Sequence, residues 1–480
     1  MLRLTVLASL ILVSAPAAAL AQSAPAPAAA VAQTTTTNPF PTPIESSAGV
    51  VSVKFTEFAV IPDAANGEAP RMMHLVNEPG SRRMFVATMR GQIYGVSYDG
   101  KTVTEYIDVN APAWNIGVQS QGSERGLQSI VFHPEFNQRG ARGYGKFYTY
   151  TDTPDITPAP DFTAAEGAKR THDTVLLEWT ANNPVAPTYD GAAPKELFRV
   201  AQPFANHNAG EVAFNLLAKP GTADYGLLYV GSADGGSGGD PMNLSQNLSS
   251  VFGKILRIDP LGTNSRNGKY GIPKINPFVG TANALGEIYA LGVRNPQRFT
   301  WDSRDGRMFV ADIGQNVVEE ISPVTAGSNL GWNKWEGSYK YVNRQVDLTG
   351  PRTEAGMTWP VAEYDHTDPL VTRAAVTGVY VYRDGDIKQL RNLLIFGDNP
   401  SGEIFYVNAD ALSNSGQSQV RRIMFDDKGT NKTLLQLIRE KNAAQGKPAA
   451  ARADLRMGRG PNNQLFILNK RDGVIRLLVP

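Results

Sequence analysis

The chain has 480 residues, and its 46 basic side chains are balanced by 45 acidic ones, which excludes the basic excess of a nucleic-acid binder. It has no cysteine, so disulfides, thiolate metal sites and cysteine nucleophiles are excluded as well. Charged residues make up only 19% of the chain, and its 46 glycines and 32 prolines suit many short strands joined by tight turns in one long all-β domain.

The first element is an export signal over residues 1–21. Arg3 supplies the charge, Leu4 to Val13 the apolar run, and Ala19-Leu20-Ala21 the small-residue cleavage site. The run is too short for a membrane anchor and ends at Pro16 and alanines. Residues 22–50, rich in Ala, Pro and Thr, read as a disordered linker. No later segment is apolar enough to span a bilayer, so no span is expected once the signal is cleaved. The expected location is periplasmic or secreted.

Residues 51–480 repeat one local pattern: a short apolar strand, then a Gly, Asp or polar turn. It occurs at Arg83–Ala87, Lys146–Tyr150, Leu227–Asp234, Arg307–Asp312, Leu393–Asp398 and Gln464–Leu468, in steps of 63, 81, 80, 86 and 71 residues. Each step has room for about four strands of five or six residues with their loops. The predicted fold is therefore all-β, a six-bladed β-propeller. The alternative is a large sandwich with coincidental strand similarity. Asn431 to Asn442 is the clearest amphipathic helix and reads as a surface insertion rather than a core element.

A propeller gathers ligands where its connecting loops converge, so polar residues at strand ends are the candidates. Only five histidines are present: His74, His133, His172, His207 and His366. His207, in Asn206-His207-Asn208-Ala209-Gly210, sits at a loop edge leading into a strand and is the candidate general base. His133, before Pro134, reads as a turn former. Asp234 follows a strand and could orient an imidazole, or simply form an Asx turn before Gly235-Gly236. Arg294, in Arg294-Asn295-Pro296, offers a planar fork for a carboxylate or oxyanion, or an inter-sheet ion pair. Backbone carbonyls at Gly314-Gln315-Asn316 could take a hard cation such as calcium, although no EF-hand loop is present. There is no G-x-S-x-G elbow, no H-E-x-x-H and no P-loop. The run Gly235 to Gly239 does not open a recognisable helix and is a poor dinucleotide fingerprint.

Several of these segments together resemble the soluble PQQ-dependent glucose/sorbosone dehydrogenase family, where PQQ is pyrroloquinoline quinone. The pieces are Gly126-Leu127 through Phe132-His133-Pro134-Glu135-Phe136, His207-Asn208-Ala209-Gly210, and Arg294-Asn295-Pro296. The longest is Asp312-Ile313-Gly314-Gln315-Asn316 through Glu319-Glu320-Ile321 to Asn329-Leu330-Gly331-Trp332. The resemblance covers most of residues 55–478. It implies a six-bladed propeller that oxidises a small-molecule sugar, with PQQ and calcium as cofactors and an external electron acceptor as partner. It casts His207 as base, Asp234 as its carboxylate, Arg294 and Asn295 as quinone contacts, and the Gly314 and Gln315 carbonyls as calcium ligands. Glu124 stands where the best-known glucose enzyme has a substrate-contacting glutamine. The turn Gly397-Asp398-Asn399-Pro400-Ser401-Gly402 lacks the lysine that holds a PQQ carboxylate there, leaving Arg373 and Arg456 as candidate cations. Two other readings stay open: a non-catalytic propeller that binds carbohydrate or protein, and a calcium-dependent lactonase on a similar scaffold.

Overall fold

The computed structural model describes residues 38–480 apart from 123, 166, 167 and 372. The export signal and the linker as far as residue 37 lie outside the described residues. The rest of the expected linker is mostly exposed but anchored at three points. Ile44 is buried and its N–H donates to Asp368 Oδ2 at 2.7 Å, while Gln417 Nε2 donates to Thr42 O at 2.8 Å and Arg422 Nη1 to Ser46 O at 3.0 Å.

The architecture is all-β and multi-sheet. Consecutive antiparallel strands form four-stranded sheets over residues 72–108, 127–202, 209–291 and 296–365. A nine-stranded sheet joins the strands of residues 376–432 to those of 456–479 through the N-terminal strand Val51–Val60. That strand pairs in parallel with Arg421–Asp427 through its first residues (Val51 opposite Ile423). It pairs antiparallel with Val474–Val479 through the remainder (Lys54 opposite Val479). A small three-stranded sheet, residues 335–347, is inserted within the fourth. Each repeated sequence pattern became the second strand of its set, for example Leu228–Ser232 and Leu393–Asp398.

These second strands are buried along all or nearly all of their length, which is why they read as largely apolar runs. The core lies between sheets. Phe85 and Phe132 bridge the first and second sets, Tyr150 and Val230 the second and third, and Tyr229 and Phe299 the third and fourth. Ala311 and Phe396 bridge the fourth and fifth, Ile395 and Ile467 the fifth and the last, and Phe466 and Val86 the last and the first. The core is therefore cyclic, and the first strand of each set packs against the first strand of the next.

The first strands share two features at one end. In five of them the register shifts next to that end, between Met72/His74, Leu127/Ser129, Ala209/Val212, Pro296/Arg298 and Thr377/Val379. Such bulges re-aim side chains. Just before them, Arg71, His207, Arg373 and Asp454 adopt positive φ of 53–57° or, for His207, 52°. L-residues hold this conformation only at a cost of order 1–2 kcal/mol. The matching corner of the second set is Gly126 (φ 130°), where a Cβ would lie 2.2 Å from Met89 O. Arg298, buried on the axis, donates to the bulge carbonyls of Met73, Gln128 and Gln297 at 2.6–3.1 Å and so ties three first strands together.

The helix forms at Leu434–Ala444, with Thr433 and Gln436 making a capping box. Its stripe Leu434, Leu437 and Ile438 is buried in the core between the fifth set and the last, which corrects the expectation of a surface insertion. Among the described residues, no helix is long and apolar enough to cross a membrane.

Candidate functional site

The corners at His207 and Arg373 and the bulged strand ends at Gln128, Gln297 and Thr377 line a pocket of about 250 Å³. Glu124, His207, Arg294, Asn295, Gly314, Gln315, Arg373 and Arg456 all line it, so the structure brings together every sequence candidate except Asp234, which stands directly behind His207.

His207 Nδ1 lies 2.8 Å from Asp234 Oδ1, and its backbone N–H donates to Glu124 Oε2 at 3.0 Å. Asp234 is buried and only neutral groups brace it. Trp332 Nε1 donates to its Oδ2 at 2.9 Å and the Gly236 N–H to its Oδ1 at 2.9 Å. The second contact is the Asx turn read from the sequence, so the turn and the imidazole contact coexist. A carboxylate on Nδ1 fixes the tautomer with the proton there and leaves Nε2 as the basic nitrogen. His133 is structural: it is buried, its Nδ1 accepts the Glu135 N–H at 3.1 Å, and burial pulls its pKa down to about 4.

Arg294 and Asn295 are aimed by Asp312, whose two oxygens accept their backbone N–H groups at 2.8 and 2.7 Å. The guanidinium rests on neutral acceptors: Gln315 Oε1 at 3.2 Å, Ile313 O at 3.0 Å and Gly314 O at 2.5 Å. Burial, reinforced by the charge of Asp234, raises Asp312 to about 7. Nearby Glu320 is pushed well above its ordinary range by burial and then by Asp312, Glu363 and Glu319. Glu336 receives the N–H groups of residues 315–318 on one oxygen at 2.6–3.0 Å, which fixes the Gly314-Gln315 loop.

That loop departs from the calcium expectation. The Gly314 carbonyl is already taken by the Arg294 guanidinium, which would stand against a dication placed there. Among the described residues, no cluster of three His or carboxylate side chains is arranged to hold a metal. The donor set seen here does not fit calcium.

The fit to a polyanionic planar group is better. Arg456 is buried, donates only to Leu455 O at 2.8 Å and Thr377 Oγ1 at 3.4 Å, and leaves its Nε without a hydrogen-bond partner. Burial and the neighbouring Arg298 pull it down to about 9. A buried cation held by neutral groups alone is costly and is relieved by an anion. The sequence reading missed Arg452, which lines the pocket and donates from Nη2 to Asn399 Oδ1 at 2.7 Å. It thus brings a cation to the very turn that lacks the lysine. The available signal was its place just ahead of a first strand. His366, also unassigned, lines the pocket with Nε2 2.7 Å from Glu319 Oε1. Its burial lowers the pKa, but the bond and charge of Glu319 outweigh this and raise it.

The sequence model of the Glucose / Sorbosone dehydrogenase family matches residues 68–432. An HIPL1 protein of Arabidopsis thaliana is 28% identical over 395 residues, covering 74% of this chain and 54% of that protein. The human Hedgehog-interacting protein is 27% identical over 322 residues, covering 66% of this chain and 39% of that protein. The chain thus spans about half or less of the length of these curated relatives. The PQQ-bound aldose sugar dehydrogenase of Streptomyces coelicolor shares the fold, with a TM-score of 0.55 and 21% identity over 89% of this chain and 97% of that one. With more than half of its length matched by the family model, the chain belongs to the glucose/sorbosone dehydrogenase family.

Proposed function

We propose that this protein is a six-bladed β-propeller that oxidises a sugar, an aldose or a related sugar alcohol or aldehyde, with PQQ bound in the pocket. The six sets of strands are the blades, and the nine-stranded sheet is two blades joined by the shared N-terminal strand. The observation that carries the chemistry is His207, braced by Asp234 and facing a pocket that four arginines line.

Arg294, Arg373, Arg452 and Arg456, with Asn295, would hold the quinone. When bound, PQQ supplies a two-electron acceptor for the hydride leaving the sugar carbon. His207 Nε2 takes the hydroxyl proton as that hydride departs, and Asp234 stabilises the imidazolium that results. The braces on Asp234 keep its charge fixed without a competing cation. Arg294 stabilises negative charge developing at the pocket wall. Glu124 meets the substrate at the rim, and its bond to the His207 N–H couples rim to base. Electrons leave through a separate acceptor, since a chain without cysteine carries no c-type haem. We place the protein in the periplasm or outside the cell, on the strength of the N-terminal segment.

The test is an absorbance titration of quinone-free protein with PQQ, followed by turnover with an artificial electron acceptor. Wild type should bind and turn over, and His207→Ala should bind without turnover. Absence of quinone binding overturns the proposal. A second reading, a non-catalytic binding propeller, is favoured by the long matches to the Hedgehog-interacting and HIPL1 proteins and by the missing lysine. It expects ligand binding that His207→Ala leaves unchanged, and no turnover.

A further inference from the structure

We infer that the sugar is part of an acidic oligosaccharide, whose anionic units lie in a basic cleft beside the pocket. This deepens the sugar-oxidising reading and rests on it.

The cleft, about 580 Å³, lies between the loop at residues 67–71 and the loop at 447–454, with Arg90, Lys470 and Arg471 on its walls. Arg71, Arg90, Lys447, Arg452, Lys470 and Arg471 line it, against only Glu68 and Asp454. The acids do not balance the bases. Glu68 is engaged by Arg90, and Asp454 is shared by two arginines, Arg452 Nε and Arg471 Nη2, each at 2.5 Å. Lys447 reaches Asp63 outside the cleft at 2.6 Å. Arg71 is held by two carbonyls, Ser120 O at 2.9 Å and Gly122 O at 2.5 Å. Its pKa is lowered by burial and then by Arg90, as expected where cations crowd. An anion in the cleft would relieve that repulsion.

Three observations select the occupant. The cleft and the pocket share Arg452, so a chain that places one sugar at His207 runs past this guanidinium into the cleft. No aromatic ring is among the lining residues, so a neutral glycan finds no face to stack on and charge is the available grip. Arg90 is recessed, its side chain 19% exposed and tied to Ala69 O at 2.7 Å, while Arg452 and Arg471 are more accessible and burial pulls Lys470 well below the usual lysine range. Cations lining a concavity suit a thin anionic chain better than the projecting surface of a protein. Carboxylates spaced along a uronate chain meet these requirements, because Arg forks bind carboxylate bidentately.

The test is calorimetric titration of the quinone-free, full-length protein with a galacturonate trimer, with maltotriose and with poly-L-glutamate. The trimer should bind at least about ten-fold more tightly than maltotriose, and its affinity should fall between about 50 and about 300 mM salt, as for charge–charge contacts. The double variant Arg71→Gln, Arg471→Gln should lose about ten-fold in trimer affinity, with PQQ titration unchanged. Salt dependence is read on wild type, so the inference stays testable if the double variant misfolds. Equal affinity for the two trimers, salt-insensitive binding, or full affinity in a folded double variant overturns it. Tighter binding of poly-L-glutamate overturns it in favour of an acidic protein partner. Because no quinone is present, failure of PQQ binding is a separate result that bears on the oxidation reading alone.

Discussion

Two histidine–aspartate pairs occur in neighbouring parts of this molecule, and only one is placed for chemistry. His207 and Asp234 meet at 2.8 Å at the pocket wall, with the carboxylate braced by Trp332 and Gly236. His172 and Asp152 lie 3.7 Å apart, both with fully buried side chains. Asp152 is held by Thr174 Oγ1 at 2.5 Å and the Gly126 N–H at 3.1 Å, and His172 Nδ1 by Thr171 Oγ1 at 2.8 Å. Burial raises Asp152 to about 7 and, with Arg125, lowers His172 to about 4. Burial thus favours the neutral form in both members of this pair. The first pair differs in that its histidine faces the pocket, which the proposed role as proton acceptor requires.

Breaking each pair in turn should separate the roles. His207→Ala is expected to lower kcat by about 10³–10⁴-fold with PQQ affinity kept. His172→Ala should instead cost about 2–4 kcal/mol in urea unfolding while folded molecules keep their kcat. If His172→Ala abolished turnover in folded protein, the distinction would fail. Next in size, Asp234→Asn should lower kcat by about 10²–10⁴-fold with little change in KM. Asp152→Asn should leave kcat unchanged, since Asp152 is fully buried and does not line the pocket. Arg452→Gln should weaken PQQ by about ten-fold in the absorbance titration.

The smallest effect is one of pH. Asp152 has a folded pKa raised to about 7 from the ordinary 3.8, so its stabilisation is complete below 3.8 and is lost as pH rises through 7. His172 has a folded pKa lowered to about 4 from 6.5, so its stabilisation is complete above 6.5 and is lost as pH falls through 4. Between these limits the two slopes oppose each other. Relative to wild type, Asp152→Asn should gain stability with rising pH and His172→Ala should lose it, each by at most about 1.4 kcal/mol per pH unit. Slopes of the same sign would show that the two groups are not the ones titrating.

The strands were legible because a strand buried along nearly all of its length is largely apolar, as in Leu393–Asp398. His207 and Arg294 were legible because a polar loop edge precedes a strand, but their selection rested on resemblance rather than spacing. Arg452 was only weakly legible. Its one local signal was its place ahead of a first strand, and its reach to Asn399 depends on a fold contact 53 residues away in sequence. The helix was placed within a few residues, but its burial was misjudged. Leu434, Leu437 and Ile438 show an apolar stripe without showing what it packs on. The loop at Gly314 was read as a set of free carbonyls because sequence does not reveal that Arg294 folds back onto one of them.

The strand Val51–Val60 also shapes how the molecule is completed. Val51 lies against Ile423 and Lys54 against Val479, so the two ends of the folded region meet in one seam. Neither segment can finish the nine-stranded sheet alone, and the final zipping waits for both. The entropy of joining such distant segments grows only with the logarithm of their separation, so this closure is thermodynamically cheap although it comes late. Until it happens, strands Arg421–Asp427 and Val474–Val479 each present an open edge to other chains, the hazard that this pairing removes.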